Sequence, residues 1–262
     1  MPALLLVNSV GVLAADVEII AHRGASYDAP ENTLESVKLG WEQKADAVEV
    51  DVFLSKDGQV VLHHDATTKK LAGVDRKVAE QTYAELRKLD VGAWKGAKWK
   101  GIRIPKLDAV LATIPDGKRM FVEVKCGPEI VGPLKKILES RRVAPASVMV
   151  ISFDAGVIRR FKKEMPGFAA CWITGYKKRG GQLKPDIEQV LTTLADTGAD
   201  GLDCNAHEGL DRKFTDRLRG AGHQFHVWTV NDPSTARRFI ELGVQSITTN
   251  RPGWLREQLM MQ

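Results

Sequence analysis

Short apolar runs alternate with amphipathic stretches along most of this chain. The runs at 17–21, 119–125, 147–153, 168–173, 200–205, 224–230 and 245–249 are rich in Val, Ile, Leu and Phe and read as buried strands. Amphipathic stretches at 107–114, 130–140, 155–163, 185–197, 211–221, 233–242 and 254–260 read as helices, and DAPENT at 28–33 opens another through Leu34, Val37, Leu39 and Trp41. Strands buried on both faces and separated by helices indicate parallel βα units. Strands ending near residues 22, 51, 125, 153, 173, 205, 230 and 250 make eight such units. Eight units predict an α/β fold, a (β/α)8 TIM barrel forming a single domain over 17–262. An open doubly wound sheet is the alternative, but it usually carries a glycine-rich turn after its first strand, which is absent here.

One stretch breaks the rhythm. Ala47, Val48, Val50, Val52 and Leu54 form a strand whose carboxylates, Glu49 and Asp51, lie two residues apart and therefore share a face. Asp57-Gly58 then signals a two-residue hairpin turn, followed by Val60-Val61-Leu62-His63-His64. This ninth strand is antiparallel and lies outside the ring. A two-residue turn sets 56 opposite 59, hence 51 opposite 64 and 52 opposite 63. That register delivers His64 beside Asp51 and Glu49 and turns His63 away; a three-residue loop would exchange the two histidines. From 66 to 104 the periodicity weakens, which predicts a small inserted segment over the barrel mouth with one amphipathic piece at 82–89.

With 262 residues, 44% hydrophobic and 27% charged, the chain suits one large globular domain. A net charge of +5 suits an anionic small-molecule ligand, while the scatter of basic residues argues against nucleic acid. Cys126, Cys171 and Cys204 are far apart, which argues against a disulfide framework and a zinc site; they read as small apolar residues. The apolar segment 3–15 is too short to span a bilayer, so no stable membrane insertion is expected. It has the length of a signal-peptide core, with Val12-Leu13-Ala14 or Leu13-Ala14-Ala15 as cleavage sites, but no Lys or Arg precedes it. Export and a packed first element of a cytoplasmic protein are the two readings of residues 1–16.

In a barrel of this kind function sits at the carboxyl ends of the strands. Those ends carry His22-Arg23, Glu49 and Asp51, Glu123 and Lys125, Ser152, Trp172, Asn205, Trp228, Asn231 and Asn250. Charged residues in barrel interiors can be structural ion pairs, but so many from three neighbouring strands point to a site. Glu49, Asp51 and Glu123 are hard oxygen ligands that suit one divalent cation, Mg2+ or Ca2+, better than zinc. Arg23 and Lys125 add positive charge for a phosphate. His22 and His64 can exchange protons near neutrality. This inventory indicates metal-assisted cleavage of a phosphate ester.

The runs HRG (22–24), PENT (30–33), EVDV (49–52), KDG (56–58), HHD (63–65), LRKLDVGAW (86–94), IPKLDAVL (104–111), EVK (123–125), SF (152–153), VWTVN (227–231) and ITTNRP (247–252) resemble, in order, the glycerophosphodiester phosphodiesterase family over about 17–255. The resemblance implies hydrolysis of a glycerophosphodiester to glycerol 3-phosphate and an alcohol. It implies His22 and His64 as the acid/base pair, Glu49, Asp51 and Glu123 as metal ligands, and Arg23 and Lys125 as phosphate ligands. Trp228 would line the glycerol or head-group side. Asn250 stands where the family usually has Asp, and Lys69 or Lys70 where it usually has Arg.

Blander roles fit other residues: His63 for packing, Glu31 and Asn32 for capping the first helix with Asn32 in reach of the site, and His207 and His223 for the surface. Residues 177–181 (KKRGG) read as a solvated loop whose glycines would let it close over an anionic head group. Other activities weighed are a lysophospholipid-cleaving phosphodiesterase, an aldolase-type barrel with Lys125 as Schiff base, and a decayed phosphodiester-binding barrel.

Overall fold

The computed structural model describes residues 17–261. In chain order its strands are β1 (Glu18–Ala21), β2 (Ala47–Leu54), β3 (Val60–Leu62), β4 (Arg119–Val124), β5 (Val148–Ser152), β6 (Ala169–Thr174), β7 (Lys177–Arg179), β8 (Gln182–Lys184), β9 (Gly201–Asn205), β10 (Gln224–Trp228) and β11 (Ser246–Thr249). Eight of them run parallel in the order β1-β11-β10-β9-β6-β5-β4-β2, and β1 pairs back onto β2, so the sheet closes. The fold is the (β/α)8 barrel expected from the eight units. β3 joins β2 antiparallel outside the ring.

Two apolar layers hold the ring. Outward residues such as Val48, Val50, Val122 and Val150 pack beneath helix residues including Leu134, Phe161, Leu194 and Phe239. Inward residues Ile20, Ala47, Phe121, Met149, Ile151, Cys171 and Ile173 fill the interior as a plug, which becomes the floor of whatever sits above it. A third cluster lies under the segment between β3 and the helix Leu107–Leu111, where Phe53 and Val61 pack with Leu71, Val78, Leu86, Val91 and Ile104. Lys95 from this segment donates to the Ser26 carbonyl at 2.7 Å, and Lys70 pairs with Glu31 at 3.4 Å, which ties the segment to the mouth of the barrel. Side-chain caps define helix starts: Asp154, Asp186, Asp211 and Asp232 each accept from a first-turn amide. Helix α1 (Leu34–Glu42) is capped by Thr33 in a capping box with Ser36, not by Glu31 or Asn32.

The hairpin register differs from expectation. Val52 pairs with Leu62, Phe53 with Val61 and Leu54 with Val60, and the Ser55 amide donates to the Gln59 carbonyl. The loop therefore holds three residues, Lys56-Asp57-Gly58, and Asp51 rather than Val52 stands opposite His63. A two-residue turn of the Asp-Gly type needs positive φ at both positions, but only Gly58 has it, at +73°. Ser55 decides the matter: its hydroxyl donates to Asp57 at 2.6 Å and accepts from the Gln59 amide. Residues 177–184 also depart from the expected loop. Gly180 and Gly181, with φ of +57° and +78°, turn β7 directly into β8.

No helix among the described residues is long and apolar enough to cross a membrane. Residues 1–16, with both readings of the apolar segment 3–15, lie outside the described residues.

Gly24 should prove the least replaceable turn glycine. Its φ is +76°, and a Cβ there would stand 2.3 Å from the Ser36 carbonyl carbon, whereas one at Gly58 would meet nothing within 4 Å. Gly58→Ala should cost about 1–2 kcal/mol. Gly24→Ala should cost more than about 3 kcal/mol. Urea unfolding of the two variants checks the order; equal losses would contradict it.

Candidate active site

The site begins with a strained turn. After β1 the chain runs through His22, Arg23 and Gly24, and Arg23 adopts a left-handed φ of +55°. That conformation lets the Arg23 amide donate to Glu49 Oε2 at 2.8 Å while its guanidinium turns to Asp51, Nε lying 3.2 Å from Oδ2. Arg23 also donates to Glu31 at 3.0 Å. Asn32 is left-handed too, at +56°, and its amide donates to the Arg23 carbonyl. Its side chain grips Asp51 twice: Nδ2 donates to Oδ2 at 2.8 Å, and Oδ1 accepts from the Asp51 amide at 2.9 Å. Two non-glycine residues held in a sparsely populated region are a recurrent mark of functional sites.

Glu49, Asp51 and Glu123 each offer an oxygen within 4.8 Å of the others. Parallel pairing explains this: Asp51 on β2 is in register with Glu123 on β4, and Glu49 lies two residues back on the same face. Lys125 Nζ sits 2.6 Å from Glu123 Oε1 and 3.6 Å from Asp51 Oδ1. Burial pushes Glu49 well above the usual carboxylate range, and Asp51 and Glu123 push it further. Glu123 rises to about 7, mainly through burial and then Asp51, against the pull of Lys125. Burial also works against the charge on Asp51, but Arg23, Lys125 and His64 overcome it and hold Asp51 below its ordinary value. Glu49 Oε1 and Asp51 Oδ1 are buried without a hydrogen-bond partner. Three convergent hard oxygens, two of them orphaned, fit a divalent cation.

A cavity of about 240 Å3 opens above the cluster, lined by His22, Arg23, Glu49, His64, Glu123, Lys125, Phe153, Asp203 and Trp228 among others. All eight residues singled out in the sequence are thus brought together, Asp51 through its contacts with Arg23, Asn32 and Lys125. The His22 ring meets Asn250 Oδ1 through Nδ1 at 2.6 Å, and burial followed by Arg23 lowers its pKa to about 4. His64 meets Asp65 through Nδ1 at 2.7 Å. His63 is buried and donates from Nε2 to the Thr67 carbonyl at 3.0 Å. His64 thus faces the cavity even though the predicted register is off by one. β3 ends at Leu62, so strand alternation does not extend to the histidines.

Several strand-end residues prove to be internal ties. Ser152 donates to the Val124 carbonyl, Asn205 clamps the backbone of Tyr176, Asn231 accepts from the Asn250 amide, and Trp172 donates to the Phe153 carbonyl. Asp203 and Phe153 were missed. Asp203 lies two residues before Asn205, so the same alternation that paired Glu49 with Asp51 could have found it.

A sequence profile described as the glycerophosphoryl diester phosphodiesterase family matches residues 22–254. The chain belongs to that family. YhdW of Bacillus subtilis is 32% identical over 240 residues, covering 90% of this chain and 96% of its own. The glycerophosphodiester phosphodiesterase of Caldanaerobacter subterraneus subsp. tengcongensis is 30% identical over 249 residues, covering 89% and 94%. An Oleispira antarctica phosphodiesterase, solved in complex with the product sn-glycerol-3-phosphate, superposes with a TM-score of 0.81 at 26% identity, covering 94% of this chain and 97% of that one. Membership makes the chain a phosphoric diester hydrolase of the glycerophosphodiester phosphodiesterase class.

The elevated carboxyls carry a pH prediction for this phosphodiesterase. Between the ordinary Glu value and about 7, folded metal-free protein holds a proton on Glu123 that the unfolded chain does not, so rising pH removes stability there. His22, depressed to about 4, works in the opposite direction up to the ordinary His value. A divalent cation displaces the carboxyl protons, so its stabilising increment should grow as pH rises from about 5.5 to about 8. Melting curves with and without Mg2+ or Ca2+ test this; an increment that is constant or shrinks with pH contradicts it.

Proposed function

We propose that this chain hydrolyses glycerophosphodiesters to glycerol 3-phosphate and an alcohol, with Glu49, Asp51 and Glu123 holding one divalent cation, Mg2+ or Ca2+, and His22 and His64 exchanging protons. The observation that carries the reading is the meeting of three mutually repelling carboxylates with two imidazoles and two cations around one cavity. A bound cation would neutralise carboxylate and phosphate charge and make the phosphorus more electrophilic.

The chain's own groups do the rest. Arg23 and Lys125 are placed for the phosphate oxygens. The contact of His22 Nδ1 with the Asn250 carbonyl oxygen makes Nδ1 the protonated nitrogen and leaves Nε2 to accept a proton, consistent with a ring kept neutral by burial. Asp65 accepts from His64 Nδ1, orients the ring, and offsets its charge when both nitrogens are protonated, which suits a donor to the leaving alcohol. Ser152 is tied to Val124 and offers no free nucleophile. Attack by the substrate's own 2-hydroxyl, deprotonated at His22, would give a cyclic phosphate and release the alcohol protonated by His64. Water deprotonated by His64 would then add to the phosphorus and break its bond to the 2-oxygen, which takes back the proton held by His22. Trp228, edge-on to Phe153 at 5.8 Å between centroids, forms an apolar wall for the carbon portion.

Glycerol 3-phosphate release from a panel of glycerophosphodiesters tests the activity, and full turnover after exhaustive chelation would remove the metal from it. His22→Ala and His64→Ala should each lose about 10²–10⁴-fold in turnover and one limb of the pH profile. His63→Ala should keep both limbs and instead lose about 1–3 kcal/mol of stability, because its partner is the Thr67 carbonyl. A 2-deoxy substrate should not be cleaved; normal turnover of it would favour direct attack by water.

A further inference from the structure

Asp203 is the buried titratable group that the proposed chemistry leaves unused. It sits on the inward face of β9, in register with Ile173 on β6 and His226 on β10, and is 1% exposed. Its carboxyl lines the cavity, yet Oδ1 is buried with no hydrogen-bond partner. It does not belong to the three-carboxylate cluster that would hold a cation. Of its two ring neighbours Ile173 belongs to the apolar plug, with Ile151 and Cys171, and His226 does not. Burial, with Glu123 second, pushes the carboxyl well above the ordinary range.

His226, one strand away, has both its ring nitrogens engaged, with Ser246 and Gln224. Asp203 by contrast lines the cavity with Oδ1 unpartnered, so a ligand group in the cavity is the partner within its reach. The partner's chemistry follows from the carboxyl. A carboxyl oxygen accepts from an O–H in either protonation state, which matches a hydroxyl group. It offers little to a phosphate, which Arg23 and Lys125 draw toward the far wall.

We propose that Asp203 is a specificity-determining residue that hydrogen-bonds a hydroxyl of the glycerol moiety at the floor of the cavity. This rests on the reading of the site as a glycerophosphodiester site and adds to it the group that distinguishes glycerol phosphate from a bare phosphate. A buried polar site left unpaired rejects ligands lacking the matching hydroxyl far more strongly than an apolar pocket rejects a missing methylene.

Calorimetry with the full chain and saturating divalent cation, using glycerol 3-phosphate and inorganic phosphate as probes, tests the assignment. Wild-type protein should prefer glycerol 3-phosphate. Asp203→Val should lose on the order of ten-fold or more of that affinity, while its affinity for inorganic phosphate stays the same. Asp203→Asn, which still accepts, should retain most of the preference. The melting temperature of Asp203→Val should not fall, since the carboxyl lacks an internal partner for Oδ1. A variant that weakens both ligands equally, keeps the wild-type preference, or fails to fold would overturn the proposal. Wild-type protein that binds the two probes alike would instead overturn the substrate reading itself.

Discussion

Mutual repulsion among Glu49, Asp51 and Glu123 is the constraint that organises the barrel mouth. Parallel register puts the three on one buried face, and strand pairing gives them no means of separating. The surrounding structure answers that repulsion piece by piece. Arg23 adopts a left-handed backbone to reach Glu49 with its amide and Asp51 with its guanidinium, Asn32 does the same to grip the same Asp51 oxygen, and Lys125 closes on Glu123. The result is an unequal trio, with Asp51 kept ionised and the two glutamates biased toward neutrality. A bound cation would complete what the protein only begins.

The apolar plug beneath is the counterpart of this charge. Phe121, Met149, Ile151 and Cys171 exclude water from the barrel interior, so each interaction above them acts in a medium of low polarity. The same plug makes a lone carboxyl such as Asp203 hard to ionise. Charge separation and its suppression thus occupy successive layers of one ring.

Much of this was legible in the sequence because parallel strands buried on both faces leave near-continuous apolar runs, and because chemistry gathers at their carboxyl ends. The carboxylate pair and the Glu123-Lys125 pair could be located from period-two alternation, and His22 from its place just after a strand, whereas His64 reaches the cavity by a register other than the expected one. The hairpin register could not, since Asp57-Gly58 suits a two- or a three-residue loop, and the choice falls to the Ser55 hydroxyl. Nor could the end of β3 be read: the apolar run passes into His63-His64 without a break, yet the strand ends at Leu62, with one last bond from the His63 amide to the Asp51 carbonyl. The short β7–β8 pair was hidden by its charge, because Lys177-Lys178-Arg179 shows no alternation and only the two glycines turn it.

Where β3 stops has a wider meaning. His22 and the three carboxylates ride on the ring, but His64 and its partner Asp65 stand on chain that has already left it, at the entrance to the segment packed around Phe53, Val61, Leu71, Leu86 and Ile104. The proposed base thus stands just after a ring strand and the proposed acid beside a satellite cluster that joins the ring through Phe53 of β2, so the seating of that cluster helps set the gap between them. Side chains far from any phosphate, such as Val78 or Leu86, become part of the gauge that spaces the two imidazoles.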